Sequence, residues 1–387
     1  MRDAFTLDPG TIHLNHGSFG AVPRMVQEEQ RRVMERVDSN PMRFYKVLQA
    51  DCVRRAREVA GELLGVSGDD LALVRNVTEA TTVVMRTLVR TGRLTPQDVV
   101  LVSDHGYGAV RLCVEQWCRR YGAQLQVLTV PLACADIDVV DLHRAAMERV
   151  AAQGQRIALV VVDAVTSPTG ILQPVTELTR LARDRGAVSF VDAAHAPGHL
   201  DVSPAGSGAD LWAGAFHKWG FAPRGTSALW VSEPLRDQVQ PATTSWNRDE
   251  PFPVSFDWRG TDDYSGWLAL DAAARFWRDL GGFDAVEQRR KMLDEMTTVV
   301  ASSVPRPPDQ VEAPVQPAPC LRLVPLPEGV ADTVESADAL YASLSRRYLE
   351  VQVVPWGGRG FVRLSAAPYN EPGDYERLAA ALPEVLG

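Results

Sequence analysis

The sequence predicts an α/β fold, with a large domain on a mostly parallel seven-stranded sheet and a smaller α+β domain at the C-terminal end. Three observations carry this. Seven short apolar runs recur between residues 71 and 231. Several are continuous and β-branched rather than alternating, the pattern of strands buried on both faces. Amphipathic segments that end at glycine, a common helix C-terminal signal, separate them. After about residue 235 the texture changes to a loop-rich stretch, a long helical stretch and three more apolar runs.

In order, the first seven runs are "LALV" (71–74), "DVVLV" near 99–103, "LQVLTV" (125–130), "IALVVVD" (157–163), "AVSFV" (187–191), "DLWAG" (210–214) and "SALWV" (227–231). The helical segments between them include "EATTVVMRTLVRTG", "GAVRLCVEQWCRRYG" and "PVTELTRLARDRG". Strand and helix alternating over such a length give a parallel sheet with helical crossovers. Next come a loop rich in Pro, Trp and Asp, and the helical stretch from "LALDAAARFW" to "VVASS". A Pro-rich surface connection, "VPRPPDQVEAPVQPAPC", leads to the runs "CLRLVPL", "EVQVVPW" and "FVRLSAA". The large domain is expected over 21–250 and the small one over 251–387.

Composition narrows the function classes. The 387 residues suit two domains. A net charge of -9 argues against a nucleic-acid binder, which needs a basic face. No apolar run reaches the roughly 18–20 residues of a membrane helix, and the N-terminus lacks the apolar core of a secretory signal. A cytoplasmic protein is the expectation. The five cysteines, Cys52, Cys113, Cys118, Cys134 and Cys320, form no CxxC pair and no metal-ligand spacing, so they read as free thiols and no metal is expected.

In an open parallel sheet, ligands bind beyond the carboxyl ends of the strands. There the sequence places "RNVTEATT" (75–82), "SDHGYG" (103–108), "AVTSPTG" (164–170), "DAAHAPG" (192–198) and "AFHKWG" (215–220). Asn76 or Thr78 opens a helix, and such an end attracts anions because its first N–H groups are unpaired. No GxGxxG or P-loop pattern follows a strand, which removes most of the case for a dinucleotide or nucleotide site. Asp192 ends a hydrophobic strand, and Lys218 sits among Phe216, Trp219 and Phe221. A buried carboxylate and a buried amine are costly alone. They form either a structural ion pair or the two sides of a ligand site. A desolvated lysine is a nucleophilic amine, and a lysine with an Asp facing a pyridinium nitrogen is what pyridoxal phosphate requires.

These motifs resemble the fold-type-I pyridoxal-phosphate enzymes of the class V aminotransferase group, and within it the isopenicillin N epimerase-like branch. The resemblance rests on "HLNHGSFGAVP" (13–23), "NVTEA" (76–80), "SDHGYGAVR" (103–111), "SPTG" (167–170), "VDAAHAPG" (191–198), "FHKWGFAPRG" (216–225), "WRGTDDYS" (258–265) and "VRLSAAPYN" (362–370), which span the chain in family order. It implies that Lys218 forms the Schiff base and moves the α-proton. Asp192 would hold the ring nitrogen protonated. His195, with Ser167 or Thr166 beside it, would face the phenolic oxygen, and Tyr107 or His105 would stack on the ring. Asn76, Val77, Thr78 and His217 would cradle the phosphate, and Thr261 would reach the phosphate of a second subunit, making a homodimer. Arg363 would bind the substrate α-carboxylate, as a guanidinium fork suits. Residues 1–20 would line the active site, with Asn15, His16 and Ser18 at the substrate and Arg43 as a further anion contact.

Two departures stand out. Ala215 and Phe216 occupy positions where many relatives carry a small hydroxyl residue or glycine. No cysteine follows Cys320, and the loop "PWGGRGF" before Arg363 has none, which disfavours persulfide-forming desulfuration. The reaction expected is β-elimination at C–S, or decarboxylative oxidative deamination, on an amino-acid or cysteinyl moiety of a secondary-metabolite substrate. The alternatives are epimerisation by a 1,1-proton shift, with Tyr107 or His16 as the second acid/base, aminotransfer, and a non-catalytic scaffold. Trp246, Trp258 and Trp356 point to a roomy aromatic pocket or to plain packing.

Overall fold

The computed structural model describes residues 1–305 and 314–386. Part of the Pro-rich connection therefore lies outside the described residues. All seven anticipated strands form one sheet: β2 (Leu71–Val74), β3 (Asp98–Ser103), β4 (Gln124–Leu128), β5 (Arg156–Asp163), β6 (Val188–Ala193), β7 (Leu211–Ala215) and β8 (Ser227–Val231). Their order is β2-β8-β7-β6-β5-β3-β4. Within it β8 alone runs against its neighbours, β2 and β7, and the other pairs are parallel. Every residue of β2, β3, β6, β7 and β8 is buried, while the edge strand β4 is largely open. Helices on both faces explain the unbroken apolar runs.

Six longer helices of the described residues cross over between these strands or precede them. They include α1 (Arg24–Ser39), α2 (Gln49–Leu64), α3 (Val77–Arg90), α4 (Gly108–Tyr121) and α5 (Asp136–Ala152). A further one, α6 (Val175–Asp184), returns from β5 to β6. Helix α7 (Leu270–Asp279) packs against α1 and α2, so Leu270 to Phe276 join the core under the large sheet. The chain passes along α8 (Gly282–Ser303) into a three-stranded antiparallel sheet, with order β11 (Gln352–Trp356), β12 (Arg359–Ser365), β9 (Leu321–Pro325). Helices α9 (Val334–Ser345) and α10 (Pro372–Leu386) complete this second core, which holds Leu321, Val324, Leu364 and Tyr375.

The N-terminal segment ties the two parts together. Strand β1 (Ile12–His13) pairs in parallel with β10 (Leu349–Glu350). Leu14 then donates its N–H to the Glu350 carbonyl and accepts from the Ser365 N–H. That brings residues 15–18 alongside β12, the strand carrying Arg363. No helix of the described residues is long and apolar enough to cross a membrane.

Candidate active site

The carboxyl ends of β2, β3, β5, β6 and β7 converge on a cavity of about 680 Å³, closed on its far side by β11 and β12. Lys218 follows β7 on a tight loop held between glycines. At Gly20, φ is +67° and a Cβ would lie 2.0 Å from the His217 carbonyl oxygen; at Gly198, φ is +76° and a Cβ would lie 2.5 Å from the Trp219 carbonyl oxygen. Only glycine allows this approach. The loop also anchors on His16, whose Nε2 lies 3.0 Å from the Lys218 carbonyl oxygen. The Lys218 ammonium is buried, and burial lowers its pKa to about 8, against the pull of Asp192 and with help from Arg363. Its Nζ stands 3.2 Å from His195 Nε2.

Asp192 lies inside β6, with Oδ1 accepting the Ala194 N–H at 3.0 Å. Burial raises its pKa, partly offset by that hydrogen bond and by Lys218. Its register neighbour on β5 is Asp163, buried as well, and burial and the charge of Asp192 push Asp163 well above the ordinary carboxylate range. The two carboxylates sit on one sheet face because parallel strands in register align their side chains. Asp163 was not singled out from the sequence, although the polar end of "IALVVVD" is the signal that marks it.

The opening of α3 faces the cavity with unpaired first-turn N–H groups, which can hold an anion. Asn76 caps it by accepting the Glu79 N–H at 2.8 Å, and Glu79 accepts the Arg75 N–H at 2.7 Å. Asn76, Val77 and Thr78 all line the cavity. His217 lines it too, with Nδ1 at 3.3 Å from the Thr226 carbonyl oxygen, and burial brings its pKa to about 4. Ala215 lines the cavity next to it, whereas Phe216 is fully buried.

Arg363 is 3 % exposed and has no carboxylate partner among the described residues. Its Nη2 donates to Ser18 Oγ at 2.8 Å and Asn15 Oδ1 at 3.2 Å, its Nη1 to the Ser167 carbonyl, and its Nε has no partner. Burial lowers its pKa to about 10. A buried guanidinium with neutral partners and a free N–H is built to receive an anion.

The structure separates several paired expectations. Tyr107 is 46 % exposed and lines the cavity. His105 does not: it is buried, with Nδ1 on Thr169 Oγ1 at 2.7 Å and Nε2 on the Val130 carbonyl at 2.8 Å. Ser167 lines the cavity, whereas the Thr166 hydroxyl is spent on Thr169 and the Ile171 N–H. Ser18 lines it, and Asn15 acts behind, on Arg363 and Gln352. His16 does not line this cavity; its ring nitrogens lie on the Lys218 carbonyl and the Tyr369 hydroxyl. Arg43 and Thr261 are exposed and lie outside the cavity of their own chain. Of the tryptophans, Trp356 lines the cavity, Trp258 packs on Tyr45 and Trp246 is 88 % exposed. Gln352 and Arg111, not anticipated, also line it. No cysteine does among the described residues, and Cys320 is a buried thiol whose pKa burial raises to about 11.

A family model for aminotransferase class-V matches residues 20–307. The chain is 31 % identical to isopenicillin N epimerase from Streptomyces clavuligerus, over 100 % of this chain and 98 % of that protein. It is 29 % identical to a probable chloroplastic L-cysteine desulfhydrase from Arabidopsis thaliana, covering 97 % of this chain and 83 % of that one. Among solved structures, a C-DES variant with glycine covalently linked to its PLP cofactor superposes with a TM-score of 0.82 at 17 % identity, over 99 % of this chain and 98 % of that one. The cysteine desulfurase CsdA from Escherichia coli superposes with a TM-score of 0.77 at 19 % identity, over 100 % and 97 %. These structures share the fold type that the motifs implied.

Proposed function

Since the chain belongs to the aminotransferase class-V family, we propose that it is a pyridoxal-phosphate-dependent C–S lyase acting on cysteine or on a cysteinyl portion of a larger metabolite. The residues present fit the cofactor. Lys218 offers a buried amine, Asp192 a buried acid for the ring nitrogen, Tyr107 a ring face, and Thr78, the first N–H groups of α3 and His217 a phosphate cradle. When bound, pyridoxal phosphate supplies an electron sink for charge developing at the substrate α-carbon.

The observation that carries the reading is Arg363, a buried cation with no carboxylate partner among the described residues, on the same cavity as the Lys218 amine. Its fork takes the substrate α-carboxylate, and Ser18 and Asn15 hold it in place. A substrate so anchored presents its α-carbon to Lys218, whose neutral amine takes the α-proton. Loss of the β-sulfur then gives, for cysteine and water, sulfide, pyruvate and ammonia. Because no cysteine among the described residues lines the cavity, elimination fits better than transfer to a persulfide. The test is release of sulfide and pyruvate from L-cysteine by the cofactor-loaded enzyme, abolished in Lys218→Ala. Carbon dioxide release with oxygen uptake, and no pyruvate, would overturn it.

The epimerase relative favours a second reading, a 1,1-proton shift, with exposed Tyr107 as the second acid/base. Inversion with solvent deuterium at the α-carbon and no sulfide would establish that reading instead. We further infer a cytoplasmic homodimer in which Thr261 and Arg43 serve the partner's cavity, since both lie outside their own. Light scattering that gives a monomer, or Thr261→Ala binding the cofactor as tightly as the parent, would sink this inference.

A further inference from the structure

The side chain behind Lys218 is unusually constrained. The indole of Trp219 donates its Nε1–H to His195 Nδ1 at 3.2 Å, and the other nitrogen of the same imidazole, Nε2, lies 3.2 Å from Lys218 Nζ. An indole N–H only donates. His195 Nδ1 must therefore carry a lone pair, and the proton of the neutral ring sits on Nε2. That N–H points at the lysine nitrogen. A donor there has a partner only if the amine is neutral, because an ammonium has no lone pair to offer.

Trp219 cannot easily swing away. It is 3 % exposed and packs between two other histidine rings, His199 at 4.4 Å and His16 at 5.1 Å between centroids. A Cβ on Gly17 would lie 3.2 Å from the indole, so that face is filled. Backbone groups hold His199: its Nδ1 lies 3.1 Å from the His195 carbonyl oxygen, and its Nε2 accepts the Cys320 N–H at 2.9 Å. His199 is therefore neutral too, which matches a pKa lowered by burial to about 3. The charged and titratable groups facing His195 and Lys218 are Asp192 from β6, Arg363 from β12, and His217 and His199. Asp192 alone favours the ammonium.

We propose that Trp219 is a positioning residue that fixes the proton of His195 on Nε2, so that the imidazole holds the Lys218 amine in its neutral, nucleophilic form. This rests on the reading of Lys218 as the reactive amine, and it concerns the lysine before the cofactor is bound. It explains why the residue after the lysine is a tryptophan whose N–H turns back toward the β6 loop rather than a plain apolar side chain.

The test is the pH profile of Lys218 acylation in the full-length chain freed of cofactor, read by mass spectrometry of the Lys218 peptide after brief acetic anhydride treatment. Only the neutral amine reacts. Trp219→Phe is expected to raise the midpoint by about one unit, a tenfold loss of reactive amine at neutral pH. In a His195→Leu background the same substitution should move the midpoint no further. An unchanged midpoint in Trp219→Phe, or a shift that persists without His195, overturns the proposal. If Trp219→Phe does not fold, nitrogen NMR of the wild-type chain labelled in histidine decides: the Nε2–H tautomer at His195 supports it, and the Nδ1–H tautomer overturns it. Acylation reads the amine without turnover. A low wild-type midpoint in an enzyme that releases no sulfide would thus sink the lyase reading and leave this one standing.

Discussion

Lys218 is held below the ordinary lysine range because its charge is kept out of water. Burial favours the neutral amine, Asp192 opposes this, and Arg363 reinforces it, with a net pKa of about 8. The rate at which the cofactor-free chain captures pyridoxal phosphate should therefore climb about tenfold per pH unit up to about 8 and then level off. Visible absorbance after mixing measures it, and a climb continuing to the range of an ordinary lysine would contradict the assignment. Arg363 is the second test at this scale. On the proposed role of Arg363 at the substrate carboxylate, Arg363→Ala should cut kcat/KM for an α-amino acid by about two to three orders of magnitude. Arg363→Lys should restore little, since a point charge cannot replace a bidentate fork. Lys218 stood out in the sequence because a cation in apolar company is conspicuous, whereas Arg363 was reached only through the resemblance of "VRLSAAPYN" to the family. His105 and Tyr107 were not separable, because nothing in "SDHGYG" says which ring turns inward. Thr169 and the Val130 carbonyl, distant in sequence, make that choice by capturing both His105 nitrogens.

The loops at the ends of the strands depend on close backbone contacts. Gly20 approaches the His217 carbonyl and Gly198 the Trp219 carbonyl, both at positive φ, so the "HKW" turn is clamped from two sides. Gly20→Ala puts a Cβ on backbone at φ +67° and ψ 142°, a region glycine alone adopts readily, costing about 1–3 kcal/mol, on top of a clash that must push the Lys218 loop aside. A lower Tm together with weaker cofactor binding is expected; an unchanged affinity would show that the clamp does not set the lysine's position. At the start of α3, Asn76→Ala should cost about 1 kcal/mol through loss of its cap. It should also loosen phosphate binding, which the Kd for the cofactor would report. The strands were readable as apolar runs, since both sheet faces are covered. The clamp was not, because a glycine's reason lies in the chain that approaches it.

Across the whole molecule, all seven histidines are held below their ordinary value of 6.5, each with burial as the first cause. A lowered histidine pKa means that the unfolded chain binds the proton first. Stability is then lost as pH falls from 6.5 toward the folded values, about 3 for His16 and His199. The raised carboxylates Asp163 and Asp192 act with the opposite sign, gaining stability as pH falls through their own range. Asp257, which burial raises to about 6, acts in the same direction as those two; with seven groups against three, the Tm of the cofactor-free chain should still drop from pH 6.5 to 5, before ordinary carboxylates titrate. A flat Tm across that interval would mean that the histidines are not buried neutral in solution.

By itself the sequence determined the α/β class, the seven strands, the position of the lysine and its acid, and the family to which they point. Those follow from local patterns, apolar periodicity and charged residues where charge is costly. Tertiary structure alone decided which residue of each neighbouring pair faces the cavity, that His16 braces Lys218 from behind, that Asp163 sits beside Asp192, and that Trp219 orients His195. Each of these depends on register or on contacts between segments far apart in the chain, and hydrogen-bond partners at that distance leave no trace in local sequence.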